Sequence, residues 1–128
     1  MSLSASQFSI ALGALYGFLG VGLGAFGAHA LRTRLSADML AVWKTAVEYQ
    51  MFHALALLGV GLLLRQGGGS TLLNGSAACF AGGVLLFSGS LYALALSGVR
   101  ILGAVTPLGG LLFLIGWALL FVATLRAT

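Results

Sequence analysis

The side chains that could carry chemistry are concentrated in one short segment, residues 44 to 53. A histidine can both donate and accept a hydrogen bond, and a carboxylate can hold a cation or transfer a proton. Because a helix turns about 100° per residue, positions 49, 50 and 53 share one face, and positions 44 and 48 share roughly the opposite face. The segment therefore holds two polar groups: Tyr49, Gln50 and His53 on one face, and Lys44 and Glu48 on the other.

Lys44 and Glu48 lie one helical turn apart, at the spacing that lets side chains of opposite charge pair. A pair with lysine before glutamate is weaker than one with glutamate before lysine. We expect the two charges to neutralise each other at the level of the lipid headgroups. The alternative is a functional carboxylate at Glu48 that shuttles protons or binds a cation.

His53 lies deeper along the same segment, and a titratable group inside a membrane is a functional candidate by default. The structural alternative is a neutral, buried histidine that is hydrogen-bonded to a facing hydroxyl or carbonyl group. Candidates for that partner are Ser88, Ser90 and Tyr92. His29, at the end of the first apolar stretch, is expected to cap the C-terminal end of its helix.

The charged residues leave three long stretches of chain without any charge, residues 1 to 31, 66 to 99 and 101 to 125. Charges are excluded from the hydrocarbon layer of a membrane, which a helix of about 20 residues crosses. We predict spans near residues 8 to 30, 46 to 64, 71 to 97 and 105 to 125. The predicted fold class is an all-α integral membrane protein, a single domain over residues 1 to 128 built as a bundle of four transmembrane helices with short loops.

The composition supports this class and excludes others. Hydrophobic residues make up 60% of the chain and charged residues 6%, where a soluble domain has roughly 25% charged residues. A formal charge of +4 on so apolar a chain cannot build a basic groove for nucleic acid. One cysteine and two histidines cannot complete a tetrahedral metal site, and no nucleophile motif, phosphate loop or dinucleotide fingerprint is present. We therefore expect no metal, no cofactor, no catalytic residue and no nucleic-acid partner, with membrane lipid as a partner.

Local signals predict where the helices begin and turn. Ser36 is predicted to cap the second helix, which at 29 residues would be about 43 Å long and overshoot the hydrocarbon layer. Its first part is expected to lie at the interface or bend, with Trp43 as an interfacial anchor. Residues 66 to 70 are predicted as a turn. Thr106 and Pro107 are predicted as the N-cap and first residue of the fourth helix, the alternative being a proline kink inside a longer helix.

Twenty glycines in a helical membrane protein need a structural reason, because small residues let helix backbones approach closely in lipid. We expect the glycine face of the first span to pack tightly against another helix, and not to line a pore. Similar series recur every seven residues in the third and fourth spans. Three such faces exceed what one compact bundle needs, so a homo-oligomer is expected. The series in the first span has intervals of four, three, four and three residues: Gly13, Gly17, Gly20, Gly24 and Gly27.

Basic residues near the helix ends predict the orientation, because lysine and arginine are in excess on the cytoplasmic side of a membrane protein. With four spans, more basic residues lie on the side of the first and third loops than on the side of the termini. Both termini are therefore predicted to lie outside the cytoplasm. The comparison sets Arg32, Arg34, Lys44 and Arg100 against Arg65 and Arg126.

Four segments carry a resemblance to a known family. They are GAFGAHAL at 24 to 31, YQMFHALALL at 49 to 58, FSGSLYALAL at 87 to 96 and TPLGG at 106 to 110. In this order they resemble the small membrane-protein family that includes transmembrane protein 256 and its bacterial relatives, a domain of unknown function. The resemblance covers nearly the whole chain and implies a multi-pass protein of the bacterial inner (plasma) membrane, with no established activity, substrate or cofactor to transfer.

Three functions are consistent with these features. The first is a non-enzymatic, oligomeric membrane component whose polar residues fix the helix packing, which a buried and hydrogen-bonded His53 would favour. The second is a small transporter or channel subunit, which a water-accessible groove reaching His53 would favour. The third is a membrane-embedded enzyme acting on lipid or quinone, which a lipid-shaped cleft beside Glu48 would favour.

Overall fold

The computed structural model describes residues 2–67 and 70–126, and most of these residues lie in four long α-helices. Helix α1 comprises Ala5–His29, α2 Ala37–Gly67, α3 Thr71–Ser97 and α4 Thr106–Arg126, with a 3₁₀ helix at Arg100–Ala104 just before α4. The chain thus has four helical segments that are long and apolar enough to cross a membrane. Over the described ranges it contains no β-strand. The predicted fold class, an all-α membrane protein with four helices, is confirmed.

Local side chains fix where the first three helices begin. Ser4 and Gln7 form a capping box at the start of α1, in which each side chain accepts a hydrogen bond from the other residue's backbone N–H. The hydroxyl of Ser36 accepts a hydrogen bond from the N–H of Met39 (3.2 Å), which confirms Ser36 as the N-cap of α2. Ser70 caps α3 in the same way.

Helix α2 runs without a break over 31 residues, or about 46 Å at 1.5 Å per residue. This is longer than the hydrocarbon layer of about 30 Å, so α2 must tilt or extend into the headgroup region. The position of its first turns at the interface stays a prediction. Within the predicted turn at residues 66 to 70, Gly68 and Gly69 lie outside the described residues.

The connection between α3 and α4 contains the chain's single proline. Helix α3 ends at Gly98, whose φ of 73° is in the left-handed region that favours glycine. Pro107 lies in the first turn of α4 and follows a separate 3₁₀ helix, so it starts this helix and does not kink a longer one. Thr106 was predicted as an N-cap, but it is itself helical and its hydroxyl hydrogen-bonds to that of Ser90 (2.6 Å).

The helices pack in chain order, α1 on α2, α2 on α3 and α3 on α4. In the described part of the chain, α1 and α4 lie on opposite flanks of the α2–α3 pair and do not pack along each other. The main hydrophobic core lies at the centre, where Leu57 and Val60 of α2 meet Phe80 of α3. Tyr16 and Phe113 extend this core towards α1 and α4 respectively.

Four of the five glycines in the predicted α1 series lie against α2. At Gly13, for example, an added Cβ atom would lie 2.8 Å from the carbonyl oxygen of Ala54. Gly17 differs from the rest, because no described atom lies within 4 Å of the position its Cβ would take. The four that face α2 are Gly13, Gly20, Gly24 and Gly27, and their neighbours are Ala54, Met51, Val47 and Trp43.

Glycines also bring α3 and α4 together within one chain. Gly109 lies directly against the backbone of Phe87, and a Cβ atom at Gly116 would lie 2.7 Å from the ring of Phe80. On the α3 side, Cβ atoms at Gly75 and Gly82 would lie 3.1 Å and 3.5 Å from leucine side chains of α4, so glycines of both helices lie at the α3–α4 interface. Gly89 of α3 is an exception, with no described atom within 4 Å of its Cβ position.

Bulk introduced at Gly20 should separate α1 from α2. A Cβ atom there would lie 2.5 Å from the Met51 sulfur, whereas Gly22 has no described atom within 4 Å. We expect Gly20→Leu to lower the free energy of unfolding in detergent by about 1 kcal/mol, at the lower end of the overpacking range, because the flexible end of the Met51 side chain can move aside in part. Gly22→Leu adds the same side chain two residues away and should cost far less. Equal losses in the two variants, measured by denaturant titration, would contradict the packing of α1 on α2.

Candidate functional site

Gln50 is the polar residue that connects the most helices. Its side chain is 3% exposed, and its amide nitrogen donates a hydrogen bond to the backbone carbonyl of Tyr16 on α1 (2.8 Å). Its amide oxygen accepts a hydrogen bond from the hydroxyl of Tyr92 on α3 (2.6 Å). Because the Tyr16 carbonyl can only accept, these partners define which amide atom is nitrogen and which is oxygen. Gln50 therefore joins α1, α2 and α3 at one level of the structure.

Other hydrogen bonds join these helices at further levels, and one of them joins α3 to α4. The hydroxyl of Tyr16 donates to the carbonyl oxygen of Ala81 on α3 (2.9 Å). The indole N–H of Trp43 donates to the carbonyl oxygen of Leu23 on α1 (2.9 Å). Three buried serines also donate to backbone carbonyls of a neighbouring helix, and each such bond fixes the register of two helices. They are Ser9 to Leu57 (2.8 Å), Ser76 to Gly116 (2.8 Å) and Ser88 to Ala46 (2.7 Å).

The imidazole of His53 is buried, and both of its nitrogens are hydrogen-bonded. Its Nδ1 atom lies 2.7 Å from the carbonyl oxygen of Tyr49, and its Nε2 atom lies 3.0 Å from the indole nitrogen of Trp117 on α4. A carbonyl can only accept and an indole N–H can only donate, so Nδ1 carries the proton and Nε2 does not. The ring is therefore the neutral Nδ1–H tautomer. It also stacks on Phe113, with ring centres 3.6 Å apart and an interplanar angle of 7°.

The partner of His53 differs from the three candidates chosen from sequence. Ser88, Ser90 and Tyr92 are hydrogen-bonded elsewhere, to Ala46, to Phe87 and Thr106, and to Gln50 respectively. The physical reason is that His53 faces the flank of α3 on which α4 packs, so the donor to its Nε2 atom comes from α4. The signal that could have identified Trp117 is its indole N–H, which needs an acceptor in a membrane interior where water is absent.

The three polar residues predicted to share one face of α2 point into two different helix interfaces. Tyr49 and His53 point towards α4, where the ring centre of Phe113 lies 6.2 Å from that of Tyr49 and 3.6 Å from that of His53. Gln50 points instead towards α1 and α3. The 100° turn between neighbouring residues is enough to send Tyr49 and Gln50 into different helix interfaces.

Lys44 and Glu48 do not join either buried group. Both are exposed, and they line a groove of about 570 Å³ between the end of α1 and the start of α2. Arg32, from the loop after α1, also lines this groove, and Trp43 forms part of its wall. Their predicted mutual neutralisation stays a prediction.

His29 is the last residue of α1 and is exposed. Its place in the last helical turn is the one at which a positive charge interacts favourably with the helix dipole. The residue that closes the helix is Ala30, whose backbone N–H donates to the carbonyl of Phe26 (2.7 Å). Among the described residues, no hydrogen bond or ring contact joins His29 to His53.

The buried polar groups are fully paired across the described residues. Every buried side-chain nitrogen and oxygen there has a hydrogen-bond partner within the chain. In the same ranges no three His, Cys, Asp or Glu side chains come together in a way that could hold a metal ion. The arrangement is therefore one of interhelical hydrogen bonds in which no buried side-chain nitrogen or oxygen of the described residues is left without a partner.

Comparisons with known proteins bear on this arrangement. Residues 23–110 match the family described as "Protein of unknown function (DUF423)". A "UPF0382 membrane protein" of Staphylococcus epidermidis is 50% identical over 117 residues, covering 91% of this chain and 94% of that protein. The "UPF0382 membrane protein YwdK" of Bacillus subtilis is 44% identical over 117 residues, covering 91% and 95%. No solved structure matches. The chain belongs to this DUF423 family of membrane proteins of unknown function.

Proposed function

We propose that the protein is a non-enzymatic component of the bacterial inner membrane that assembles with further copies of itself, and that its buried polar residues fix the helix packing. The observation that carries the proposal is the complete pairing of buried polar side chains in the described ranges. A site that binds a polar substrate or relays protons needs donors or acceptors that are free to change partner. Here Gln50 and His53 have their hydrogen-bonding atoms bonded to neighbouring helices or to their own helix.

The geometry favours this function over a transport path at His53. A groove of about 520 Å³ reaches the edge of the His53 ring, but its wall is mainly aromatic and aliphatic, with Tyr49, Phe87, Phe113 and Trp117 among the lining residues. Such a wall offers little to replace the hydration shell of an ion or polar solute. The tight stacking of His53 on Phe113 further restricts any ring flip that a proton relay would need.

The cleft beside Glu48 bears on the enzymatic alternative. Its described lining residues include a carboxylate, two basic side chains and one tryptophan, but no hydroxyl, thiol or imidazole that could act as a nucleophile. This set is better suited to contact with a lipid than to chemistry on one. We therefore propose that membrane lipid is a partner of the protein and that the protein does not catalyse a reaction on it.

Assembly with further copies is supported by the unequal burial of the four helices. The most apolar windows of α1 and α4 are 22% and 17% buried within the chain, against 39% for both α2 and α3. The two flanking helices therefore offer most of their apolar surface to lipid or to another copy. Side chains such as Leu111, Leu114 and Phe121 of α4 are more than half exposed and could make such a contact.

The test combines mass and flux on the purified protein. We expect light scattering in detergent to give a protein mass that is two or more times the mass of one chain. Sealed vesicles containing the protein should conduct protons and small solutes no faster than empty vesicles. A single-chain mass would contradict assembly, and flux above that of empty vesicles would contradict the non-transporting role.

The orientation proposed for the protein places both termini outside the cytoplasm. The loops after α1 and α3 contribute Arg32, Arg34 and Arg100 to one end of the helices, whereas Arg65 and Arg126 lie at the other. A carboxy-terminal reporter that is active only in the cytoplasm should therefore give no signal. The same reporter inserted in the loop after α1 serves as the positive control. A strong signal from the carboxy-terminal fusion would reverse the orientation.

A further inference from the structure

The outer face of the α1–α2 pair carries two consecutive grooves. The first is the groove beside Glu48, and the second has a volume of about 700 Å³ and an almost wholly apolar lining. Five of the lining residues of α2 follow one another at intervals of three or four positions, which places them along one face of the helix. They are Lys44, Val47, Met51, Leu55 and Leu58. The two grooves therefore follow one another along a single face, from the end of α1 inwards.

The length of this combined groove matches one leaflet of a membrane. Lys44 and Leu58 are separated by 14 positions of α2, which correspond to about 21 Å along the helix. One leaflet accounts for about 15 Å of the hydrocarbon layer, so the groove reaches from the headgroup level to the middle of the membrane. Glycine keeps its floor open, because neither Gly17 nor Gly22 has a described atom within 4 Å of its Cβ position.

The mouth of the groove carries the charges. Arg32 and Lys44 are both exposed and both line it, and Glu48 lies one turn further along α2 than Lys44. Two positive charges and one negative charge leave the mouth with a net charge of +1. A guanidinium group binds phosphate through two parallel hydrogen bonds, and an ammonium group adds a mobile point charge. This chemistry is complementary to a phosphodiester.

We propose that the groove is a binding site for one anionic glycerophospholipid. Its phosphodiester lies between Arg32 and Lys44, and one acyl chain extends along the apolar floor past Gly22 and Gly17. The inference rests on the lipid partner of the proposed function and names its class and position, but it does not depend on assembly or on the hydrogen bonds of the interior. It predicts selectivity for headgroup charge at a defined position, which general solvation by bilayer lipid does not provide.

The test is native mass spectrometry of the full chain, released from detergent after incubation with equal amounts of phosphatidylglycerol and phosphatidylcholine that have the same acyl chains. We expect the wild-type protein to retain one phosphatidylglycerol in preference to phosphatidylcholine. Each of Arg32→Gln and Lys44→Gln should weaken that retention about fivefold, and the double variant about twentyfold. The matched control, Arg65→Gln with Arg126→Gln, removes two basic residues from the opposite end and should leave retention unchanged.

A second pair of variants tests the apolar part of the groove. Gly17→Leu fills the floor and should reduce retention of phosphatidylglycerol, whereas Gly89→Leu makes the same change at an open position of α3 and should not. Both positions are free of neighbouring atoms, so both variants are expected to fold, which thermal unfolding checks. Equal retention of the two lipids by the wild-type protein would overturn the proposal, as would equal losses in the charge variants and their control. If Gly17→Leu changes the protein mass and leaves lipid retention intact, the groove holds a second copy and the proposal is wrong.

Discussion

Replacing Gly109 with alanine should destabilise the protein more than any other single-methyl change in α4. The added Cβ atom would lie 2.7 Å from the Cα atom of Phe87 and even closer to its backbone nitrogen. Backbone atoms cannot rotate away as the end of a side chain can, so α3 and α4 must move apart. We expect Gly109→Ala to lower the free energy of unfolding by about 3 kcal/mol, at the upper end of the overpacking range.

The neighbouring glycine provides the control for this prediction. At Gly110 the nearest atoms to an added Cβ belong to the Phe87 ring, at 3.9 Å, which is ordinary van der Waals contact. Gly110→Ala makes the same chemical change in the same helical turn and should be neutral or mildly stabilising, because alanine favours a helix over glycine. Denaturant titration in one detergent measures both. Similar stability of the two variants would show that α3 and α4 do not pack as closely as described.

Gln50→Leu should be the most damaging loss of a polar side chain. It removes the acceptor of the Tyr92 hydroxyl and the donor to the Tyr16 carbonyl, and it leaves the hydroxyl buried without its partner. An unsatisfied buried polar group costs about 1 to 3 kcal/mol. Gln66→Leu makes the same substitution at an exposed position near the end of α2 and should change the free energy of unfolding little.

A double-mutant cycle tests whether the Gln50 loss arises from the Tyr92 contact. Tyr92→Phe removes the hydroxyl, so adding it to Gln50→Leu should recover part of the lost stability. Interhelical hydrogen bonds in a membrane protein have coupling energies that average about 0.6 kcal/mol and reach about 1.7 kcal/mol. We expect a value in the upper half of that range, because the bond is short and buried. A coupling energy of zero would mean that Gln50 and Tyr92 contribute independently.

The helices were predictable because a membrane imposes a severe constraint on charge. Three long stretches without a charged residue identified α1, α3 and α4, and Ser36 identified the start of α2. The start of α1 was missed by three residues, although Ser4 and Gln7 have the spacing of a capping box. The order of packing was not predictable, since glycine spacing indicates that a face approaches another helix but does not say which one.

The candidate site was predictable in its residue types and not in its pairings. Gln50 and His53 were recognised as polar groups inside a membrane, where such groups must find partners. Their partners depend on how far each helix is rotated about its axis, and that rotation is set by the packing of large side chains such as Phe80 and Phe113. Arg32 was assigned only to orientation, because its place beside the same groove as Lys44 has no signature in the sequence.

We propose that the interior polar residues hold the helices together and do not conduct. His53→Leu tests this most directly, with the free energy of unfolding and the proton flux measured on the same vesicle preparations. We expect a loss of about 1 to 3 kcal/mol in the free energy of unfolding, because the Trp117 indole N–H loses its acceptor. We also expect His53→Gln to recover part of this loss, and wild-type and variant vesicles to show the flux of empty vesicles. Wild-type flux above that level, abolished in a stably folded His53→Leu variant, would contradict the claim.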